Sequence, residues 1–269
     1  LFDNIFVKTR TIIAPQEIDL YYDEKKFGIE FNGTYWHSLK RIDDIKYHQK
    51  KSLLAESKGI QLYHIFEYEW ANESLRNKMI QQIHNKIYGY DKTIGARKCS
   101  IQEVSSKEAN QFLEENHLQG RDNSCYRIGL FFNSELVSLM TFSKPRFNKK
   151  FEWELSRYCS RLDCQVAGGA SKLFKHFIEV KDPSSVISYC NIGKATGGVY
   201  EQLGFTLDHI AEPNYIWTNG AEILSRYQTQ KHKLTEYYHL GNTEDQIMTN
   251  RGFLKIYDCG NKVFVYIKK

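Results

Sequence analysis

The stretch from Glu17 to Ser38, EIDLYYDEKKFGIEFNGTYWHS, constrains the fold more than any other part of the chain, because acidic side chains stand inside two short apolar runs. Polar and apolar residues alternate from Glu17 to Tyr22, which is the period of a β-strand. The polar segment DEKK interrupts the pattern, and a second run follows from Phe27 to Phe31. The pattern predicts a β-hairpin with carboxylates gathered at one end.

The three carboxylates of this hairpin, Glu17, Asp19 and Glu30, predict a metal site. Like charges that crowd together repel one another unless a cation lies between them, and carboxylate oxygens suit a hard divalent ion. We therefore expect Mg²⁺, for which Mn²⁺ can substitute. His37 follows a glycine turn, within reach of a metal-bound water as an acid or base. The alternative is a hairpin whose edge charges are solvated and whose histidine is capped.

Helix and strand patterns continue this region into an α/β core. A helix is predicted from about Asp44 to Ser57, and it carries His48 and Lys51 toward the same cleft. The segment GIQLYHIFEYEW then predicts a strand over residues 61–66. We expect Lys51 to stabilise charge on a bound phosphate.

This region resembles a known group of nucleases. Asp19 and Glu30, with Asn32 at the third place of an ExK triplet, resemble a variant of the PD-(D/E)XK signature. The segments NGTYWH and GIQLYHIFEYEW are similar to the Vsr-like endonucleases, including the EDxHD homing endonucleases of bacteriophages. The resemblance implies that Asp19 and the main-chain carbonyl of Phe31 ligate Mg²⁺, and that His37 is the acid/base histidine.

The same resemblance extends to further residues and also has departures. Glu17 and Glu30 fit the additional carboxylates of the phage enzymes, and Asn32, Trp36 and His48 are expected to contact DNA. Asn32 stands where these nucleases usually have lysine, which leaves open the group that activates water. The zinc-binding cysteines of the repair enzymes have no counterpart in this sequence, which argues against mismatch repair.

The chain from about Arg97 has a different pattern. KCSIQEVSSKEANQFLEENHLQG predicts a strand, an N-cap at Ser105 or Ser106, and a helix over residues 107–116. YRIGLFF, ELVSLMTFS and FEWELSRYCS predict three strands with tight turns, a β-meander. QVAGGASKLFKHFIEV follows as a glycine turn that opens a helix.

Two motifs in this second part resemble those of GNAT-type acyltransferases. QVAGGA, at residues 165–170, matches the Q/R-x-x-G-x-G/A loop, in which main-chain N–H groups and a helix N-terminus hold a pyrophosphate. YEQLGF, which begins at Tyr200, resembles the YxxxGF helix end near the thiol of the acyl carrier. The resemblance runs from about residue 100 to 233 and implies a GNAT-like mixed-sheet domain.

The same glycine turn would also hold a DNA phosphate, and basic residues flank it. We expect DNA contacts from Lys144, Arg146, Arg157, Arg161, Gly168, Gly169 and Lys172. An ordinary solvated face explains any one of these charges equally well. Aromatic residues interleave with the cations in KPRFNKKFEWELSRYCSR, which is typical of strand core and also of stacking on single-stranded bases.

The end of the chain, NRGFLKIYDCGNKVFVYIKK, predicts a β-hairpin that turns at Cys259-Gly260-Asn261. A short capped helix, TEDQIM, precedes it. A phosphate-contacting tail and a simple closing hairpin are both open for this segment.

Composition limits the setting. A formal charge of +5 and a pI near 8.7 permit a polyanionic partner without requiring one. The six cysteines are scattered, which indicates reduced thiols in a cytosolic protein. The sequence has no apolar run of the roughly 20 residues that span a bilayer and no signal peptide. It begins at Leu1 rather than at Met, which leaves room for a preceding segment.

The sequence as a whole predicts an α/β (α+β) protein with a Vsr-like endonuclease domain at residues 1–92 and a GNAT-like domain at 93–269. The predicted function is a Mg²⁺-dependent homing endonuclease that hydrolyses double-stranded DNA at a specific site. We expect it in the cytoplasm, that of a host bacterium if a phage encodes it, with no membrane contact and a homodimer as a possible assembly. One alternative is an acyl-CoA-dependent GNAT-type transferase with a nuclease-like N-terminal domain. The other is a non-catalytic DNA-binding or assembly protein.

Overall fold

The structure, a computed structural model, describes residues 6–268 and contains both sheets and helices, which confirms the α+β class. Its strands are β1 Val7–Thr9, β2 Ile18–Tyr22, β3 Phe27–Asn32, β4 Gln61–Phe66, β5 Lys92–Gly95, β6 Ser100–Glu103, β7 Tyr126–Phe132, β8 Glu135–Ser143, β9 Trp153–Ser160, β10 Cys164–Ala167, β11 Ser185–Asn191, β12 Thr206–Ile210, β13 Tyr215–Thr218, β14 Ile223–Ser225, β15 Leu254–Tyr257 and β16 Asn261–Ile267. Its α-helices are α1 Tyr47–Ser57, α2 Glu67–Ala71, α3 Glu73–Tyr88, α4 Ser106–Asn116, α5 Gly169–Lys181, α6 Gly198–Gln202 and α7 Glu244–Asn250.

The chain divides into two compact units, each built from three segments. Within the described residues, unit 1 comprises 6–72, 191–196 and 210–261, and unit 2 comprises 73–190, 197–209 and 262–268. The predicted division of the chain after residue 92 stays a prediction. Between residues 6 and 268, every helix is too short or too polar to span a membrane.

The predicted hairpin is present in unit 1. Strands β2 and β3 pair antiparallel with Leu20 opposite Ile29, and β4 joins β3 in parallel through the crossover helix α1. Strand β1 completes a four-stranded sheet in the order β1-β2-β3-β4. Gly28 permits the close packing of this sheet, because a Cβ there would lie only 2.9 Å from Leu62 Cδ1.

The strict alternation predicted for β2 is wrong at its centre. Ile18 and Tyr21 are both buried, whereas Leu20 is 44% exposed. The register between β1 and β2 shifts by one residue between Ile18 and Tyr21, and such a bulge turns both side chains toward the core. The Tyr21 hydroxyl donates to Asp23 Oδ1 at 2.9 Å, so the buried ring keeps a partner for its polar end.

A second sheet of unit 1 has the order β14-β13-β15. Its core contains Trp217 together with Ile247 and Met248 of α7. The predicted cap of this helix is confirmed, because Thr243 Oγ1 accepts the N–H of Gln246 at 3.2 Å.

The closing hairpin predicted at the end of the chain is not formed. Strand β15 pairs antiparallel with β13, whereas β16 belongs to the seven-stranded sheet of unit 2. Gly260 does turn the backbone, with φ of 72°, but the two flanking strands take partners that lie far away in the sequence. Local turn signals identify the turn and do not choose the strand partners.

The seven-stranded sheet of unit 2 has the order β12-β16-β11-β9-β8-β7-β6. Strands β7 to β9 form the predicted antiparallel meander. Strand β6 pairs antiparallel with β7, and β11 runs parallel to β9. The β7–β8 turn uses Asn133 and Ser134 at φ of 51° and 66°, the conformation that a two-residue hairpin turn requires. Ser105 is the cap of α4, since its side chain accepts the N–H of Glu108 at 3.2 Å.

Helix α5 supplies the aromatic centre of the unit 2 core. Phe177 is fully buried and stacks on Phe142 of β8 with ring centroids 3.6 Å apart. Trp153 meets the edge of the same ring at 5.6 Å. These contacts hold α5 against the strands that surround the candidate site described below.

We expect Phe177→Ala to lower the free energy of unfolding by about 3–5 kcal/mol, because it removes a buried ring and leaves a cavity. Urea unfolding followed by far-UV circular dichroism measures this loss. Val180→Ala is the matched control in α5, since Val180 is 51% exposed, and it should change stability by less than about 0.5 kcal/mol. Equal effects of the two variants would contradict the packing described here.

Candidate functional sites

The first polar cluster, in unit 1, is an ion pair inside the hairpin region. Lys51 of α1 donates from Nζ to Glu30 Oε1 of β3, and both side chains are at most 5% exposed. Glu30 Oε2 is also buried and lacks a hydrogen-bond partner among the described residues. Burial raises the pKa of Glu30 to about 7, although the charge and the hydrogen bond of Lys51 oppose the shift. The positive charge of Lys51 therefore compensates the negative charge of the buried Glu30 carboxylate.

Three histidines lie next to this ion pair. His37 Nδ1 and His48 Nε2 are 3.0 Å apart, and the ring of His64 lies edge-on to that of His48 at 5.8 Å. His48 also donates to the main-chain carbonyl of Tyr257, so its Nε2 accepts the proton of His37. His64 is held from both sides, by Asn32 Nδ2 at 3.1 Å and by Ser52 Oγ at 2.9 Å.

The surroundings keep these histidines neutral. Burial lowers the pKa of His48 to about 3 and that of His64 well below its usual range. Burial also lowers the pKa of His37, and the charge of Lys51 acts in the same direction. At neutral pH the cluster is a chain of uncharged imidazoles beside one buried ion pair.

The predicted metal carboxylates take their partners from the chain. Glu17 forms ion pairs with Lys8 at 3.0 Å and Arg10 at 2.9 Å, and the hydrogen bond from Lys8 lowers the pKa of this carboxyl. Asp19 Oδ2 accepts the main-chain N–H of Phe31 at 2.9 Å. Each carboxylate thus has a partner from the chain itself, although the charge of Asp19 still raises the pKa of Glu30.

Between residues 6 and 268, no group of three or more His, Cys, Asp or Glu side chains could hold a metal ion. The predicted Mg²⁺ or Mn²⁺ cofactor is therefore wrong. The pairing of Glu30 with Lys51 was not predicted from the sequence. The predicted helix could have indicated this pair, because it directs Lys51 toward the cleft that contains the carboxylates.

The second cluster, in unit 2, lies where β9 and β11 separate. The parallel register contains only two pairs, Val186 with Trp153 and Ile187 with Glu154. After Leu155, which still pairs with Phe142, the register of β9 against β8 shifts so that Ser156 is an extra residue. Such a bulge bends a strand, and the separation from β11 begins at this point.

Two side chains lie at this opening. Tyr200 of α6 donates from its hydroxyl to the carbonyl of Tyr189 at 3.5 Å, and burial raises its pKa to about 12. A hydrogen bond with Ser188 and the charge of Arg157 act against this rise. Arg157 Nη1 donates to the carbonyl of Ser156 at 2.7 Å, whereas its buried Nε lacks a partner among the described residues.

The predicted glycine turn lies at the start of α5. Gly168 is the N-cap residue with φ of 77°, a left-handed conformation that favours glycine. A Cβ on Gly169 would lie 3.1 Å from Val166 Cγ1 and 3.2 Å from the Tyr158 hydroxyl, so the turn packs closely. The first N–H groups of a helix have no acceptor within the helix, and its dipole favours an anion there.

The residues predicted to contact DNA fall into different environments. Lys172 donates to the carbonyls of Ala96 at 2.9 Å and Cys99 at 2.6 Å. Arg161 forms ion pairs with Asp163 and Glu135. Lys144 and Arg146 are exposed, and Trp36 in unit 1 is 66% exposed. Their DNA contacts stay predictions.

Comparison with known proteins finds similarity among solved structures. No family model matches the chain, and no curated protein matches it. Among solved structures, the chain is similar to a GNAT family acetyltransferase from Elizabethkingia anophelis with acetyl-CoA bound, at 13% identity and a TM-score of 0.34. The similarity covers 64% of this chain and 99% of that one.

These findings correct the nuclease prediction. The described side chains form no cluster of carboxylates that could hold the metal on which the predicted hydrolysis depends. The identification as a Vsr-like PD-(D/E)XK homing endonuclease of a phage, the separate nuclease core and the DNA-hydrolase activity are therefore wrong. The double-stranded DNA partner, the homodimer and the cytoplasmic location stay predictions.

The histidine cluster makes the stability of the protein depend on pH. The pKa of His48 is about 3 in the folded state, whereas an unfolded histidine has a pKa near 6.5. The unfolded state therefore binds more protons between these values, and the stabilising contribution of His48 is full above about pH 6.5 and is lost as pH falls. His37 and His64 act in the same direction, whereas the raised pKa of Glu30 acts in the opposite one.

We expect the free energy of unfolding to fall as the pH decreases from about 6.5 to 4.5. His48→Gln should reduce the slope of this free energy against pH by about 1.4 kcal/mol per pH unit. Urea unfolding at a series of pH values measures the slope. His232→Gln is the control, since His232 is exposed. An unchanged slope in His48→Gln would show that His48 is not held neutral.

Proposed function

We propose that unit 2 is a GNAT-like domain that transfers an acyl group from acyl-CoA to an acceptor amine. The observation that carries the proposal is the separation of β9 from β11 after two residue pairs, with Tyr200 at its edge. The motifs QVAGGA and YEQLGF lie on the two elements that flank this opening, at the start of α5 and along α6.

The opening suits the shape of the acyl carrier. Pantetheine is an extended arm with two amide groups, and a strand that leaves its neighbour has main-chain groups that can pair with those amides. The turn at Gly168 and the start of α5 suit the pyrophosphate, because helix N-terminal N–H groups bind anions. One strand edge and one helix end thus serve the two chemically different parts of one carrier.

Tyr200 supplies a proton in the proposed reaction. The lone pair of the acceptor amine attacks the thioester carbonyl, the C–S bond breaks, and the leaving thiolate takes the hydroxyl proton of Tyr200. A pKa of about 12 keeps this hydroxyl protonated at neutral pH. The nearby charge of Arg157 stabilises the phenolate that forms, and the proton released by the amine restores Tyr200.

We expect wild-type protein to bind acetyl-CoA saturably in isothermal titration calorimetry, and Gly168→Val to weaken this binding at least about tenfold. A β-branched residue at this positive φ strains the turn and crowds the anion site. Gly89→Val is the matched control, because Gly89 also has a positive φ of 85° and has open space around it. Absence of acetyl-CoA binding by the wild type would refute the proposed function.

Tyr200→Phe should lower acetyl transfer about 10- to 100-fold while the Kd for acetyl-CoA changes less than about threefold, because the ring remains and only the proton donor is lost. Chromatographic measurement of CoA released in the presence of a panel of primary amines gives the rate. Tyr266→Phe, a substitution of another tyrosine that packs on the same core, is the control. Equal activity of Tyr200→Phe and the wild type would remove Tyr200 from the mechanism.

A further inference from the structure

The loop between β8 and β9, residues 144–152, combines exposed cations with one exposed aromatic ring; we call it the basic loop. It contains Lys144, Arg146, Lys149 and Lys150, and all four are exposed. Its first acidic residue is Glu152, at its very end. Phe147 is 84% exposed, more than any other large apolar side chain among residues 6–268.

Most of the charge of the basic loop has no ion-pair partner in the described chain. Arg146, Lys149 and Lys150 form no ion pair with a carboxylate among residues 6–268. Lys144 lies over the ring of Trp153 at 4.3 Å, a contact that leaves its positive charge in place. Together with hydrogen bonds from Ser184, the charge of Lys144 also lowers the pKa of Glu152. Three positive charges within the five residues 146–150 therefore face solvent without an ion-pair partner among residues 6–268.

Both ends of the basic loop are anchored, so its exposed residues project from a fixed base. The N–H of Arg146 donates to Glu154 Oε2 at 3.1 Å. Glu152 Oε2 accepts from Ser184, from the main chain at 2.8 Å and from the hydroxyl at 2.9 Å. Phe147 lies 6.4 Å from the ring of Tyr189 at an angle of 88°, and its exposed fraction of 84% leaves ring surface accessible to a flat partner.

We propose that the basic loop binds single-stranded nucleic acid, with phosphates at its cations and one base stacked on Phe147. Exposed aromatic faces interleaved with Lys and Arg are the elements with which proteins bind single strands without reading sequence. A duplex has no free base face along its length for Phe147. An anionic membrane would gain only one apolar side chain, because Arg146 and Asn148 flank Phe147, and such a contact is a marginal anchor.

Fluorescence anisotropy with labelled 20-mers of dT and of rU, and with a 20-base-pair duplex, tests the proposal. The first variant is the triple substitution Arg146→Ala, Lys149→Ala and Lys150→Ala. Its control is Lys107→Ala, Arg121→Ala and Lys175→Ala, which removes the same charge from exposed positions of unit 2. The second variant is Phe147→Ala, with Tyr227→Ala as control, since Tyr227 is 70% exposed beside Lys233.

We expect the loop triple variant to lose at least about tenfold in single-strand affinity and the control triple less than about threefold. The slope of log Kd against log salt should flatten by about 2, since each phosphate contact on a single strand contributes about 0.7. Phe147→Ala should weaken single-strand binding about 5- to 150-fold and leave duplex binding unchanged.

Four results would overturn the proposal: no single-strand binding by the wild type, equal losses in the two triple variants, a duplex preference that Phe147→Ala leaves intact, or binding only to vesicles of phosphatidylcholine and phosphatidylserine. Acetyl-CoA calorimetry on the same variants reports on the proposed transferase separately. Loss of nucleic-acid binding with normal acetyl-CoA binding assigns the basic loop, whereas loss of both indicates a folding defect. If the triple variant loses both activities, single-strand binding by Phe147→Ala, which changes only an exposed side chain, decides whether the loop binds nucleic acid.

Discussion

The bulge at Ser156 is the constraint on which the architecture of unit 2 depends. Before it, β9 is paired on both sides, with Ser143 of β8 opposite Glu154 and Ile187 of β11 beside the same residue. After it, β9 continues along β8 and leaves β11. The bulge residue itself is held, because its hydroxyl lies 2.8 Å from that of Ser143. A regular strand at this point would continue to pair with β11 and close the opening that we assign to the acyl carrier.

Unit 1 shows how a buried polar network can imitate a catalytic site in a sequence. Carboxylates, a histidine and a lysine in hairpin and helix patterns predict a metal centre when each residue type is taken at its usual role. The structure satisfies most of the same groups internally: Lys51 neutralises Glu30, and Asn32 and Ser52 hold His64. Burying an ion pair rarely adds stability, but removing one partner is strongly destabilising. The members of this network therefore depend on one another for stability, whatever the role of the network.

How much of the structure the sequence could predict depends on the range of the interactions. The meander, the capped helix α4 and the turn at Gly168 follow from local periodicity and capping, and they are present. The partners of β15 and β16 depend on residues far away along the chain, so a local turn signal predicted a hairpin that does not form. The bulge that buries Tyr21 and the bulge at Ser156 have the same origin, because each depends on how a strand pairs with its neighbour, which the sequence of that strand alone does not specify. The ion-pair partners in the candidate site could not be chosen either, since charge patterns alone do not distinguish a metal from a lysine.

Glu154 connects the two functional features of unit 2. It is 7% exposed, it is the last residue of β9 paired with β11, and its carboxylate accepts the N–H of Arg146 in the basic loop. A buried carboxylate with a main-chain donor holds that donor in one place, since losing the bond would leave a charge without a partner. The cations of the loop therefore start from a fixed position beside the opening of the strands. A loop that is already ordered loses little conformational freedom on binding, so this contact would favour association at the loop. The same contact fixes the loop relative to the opening between the strands.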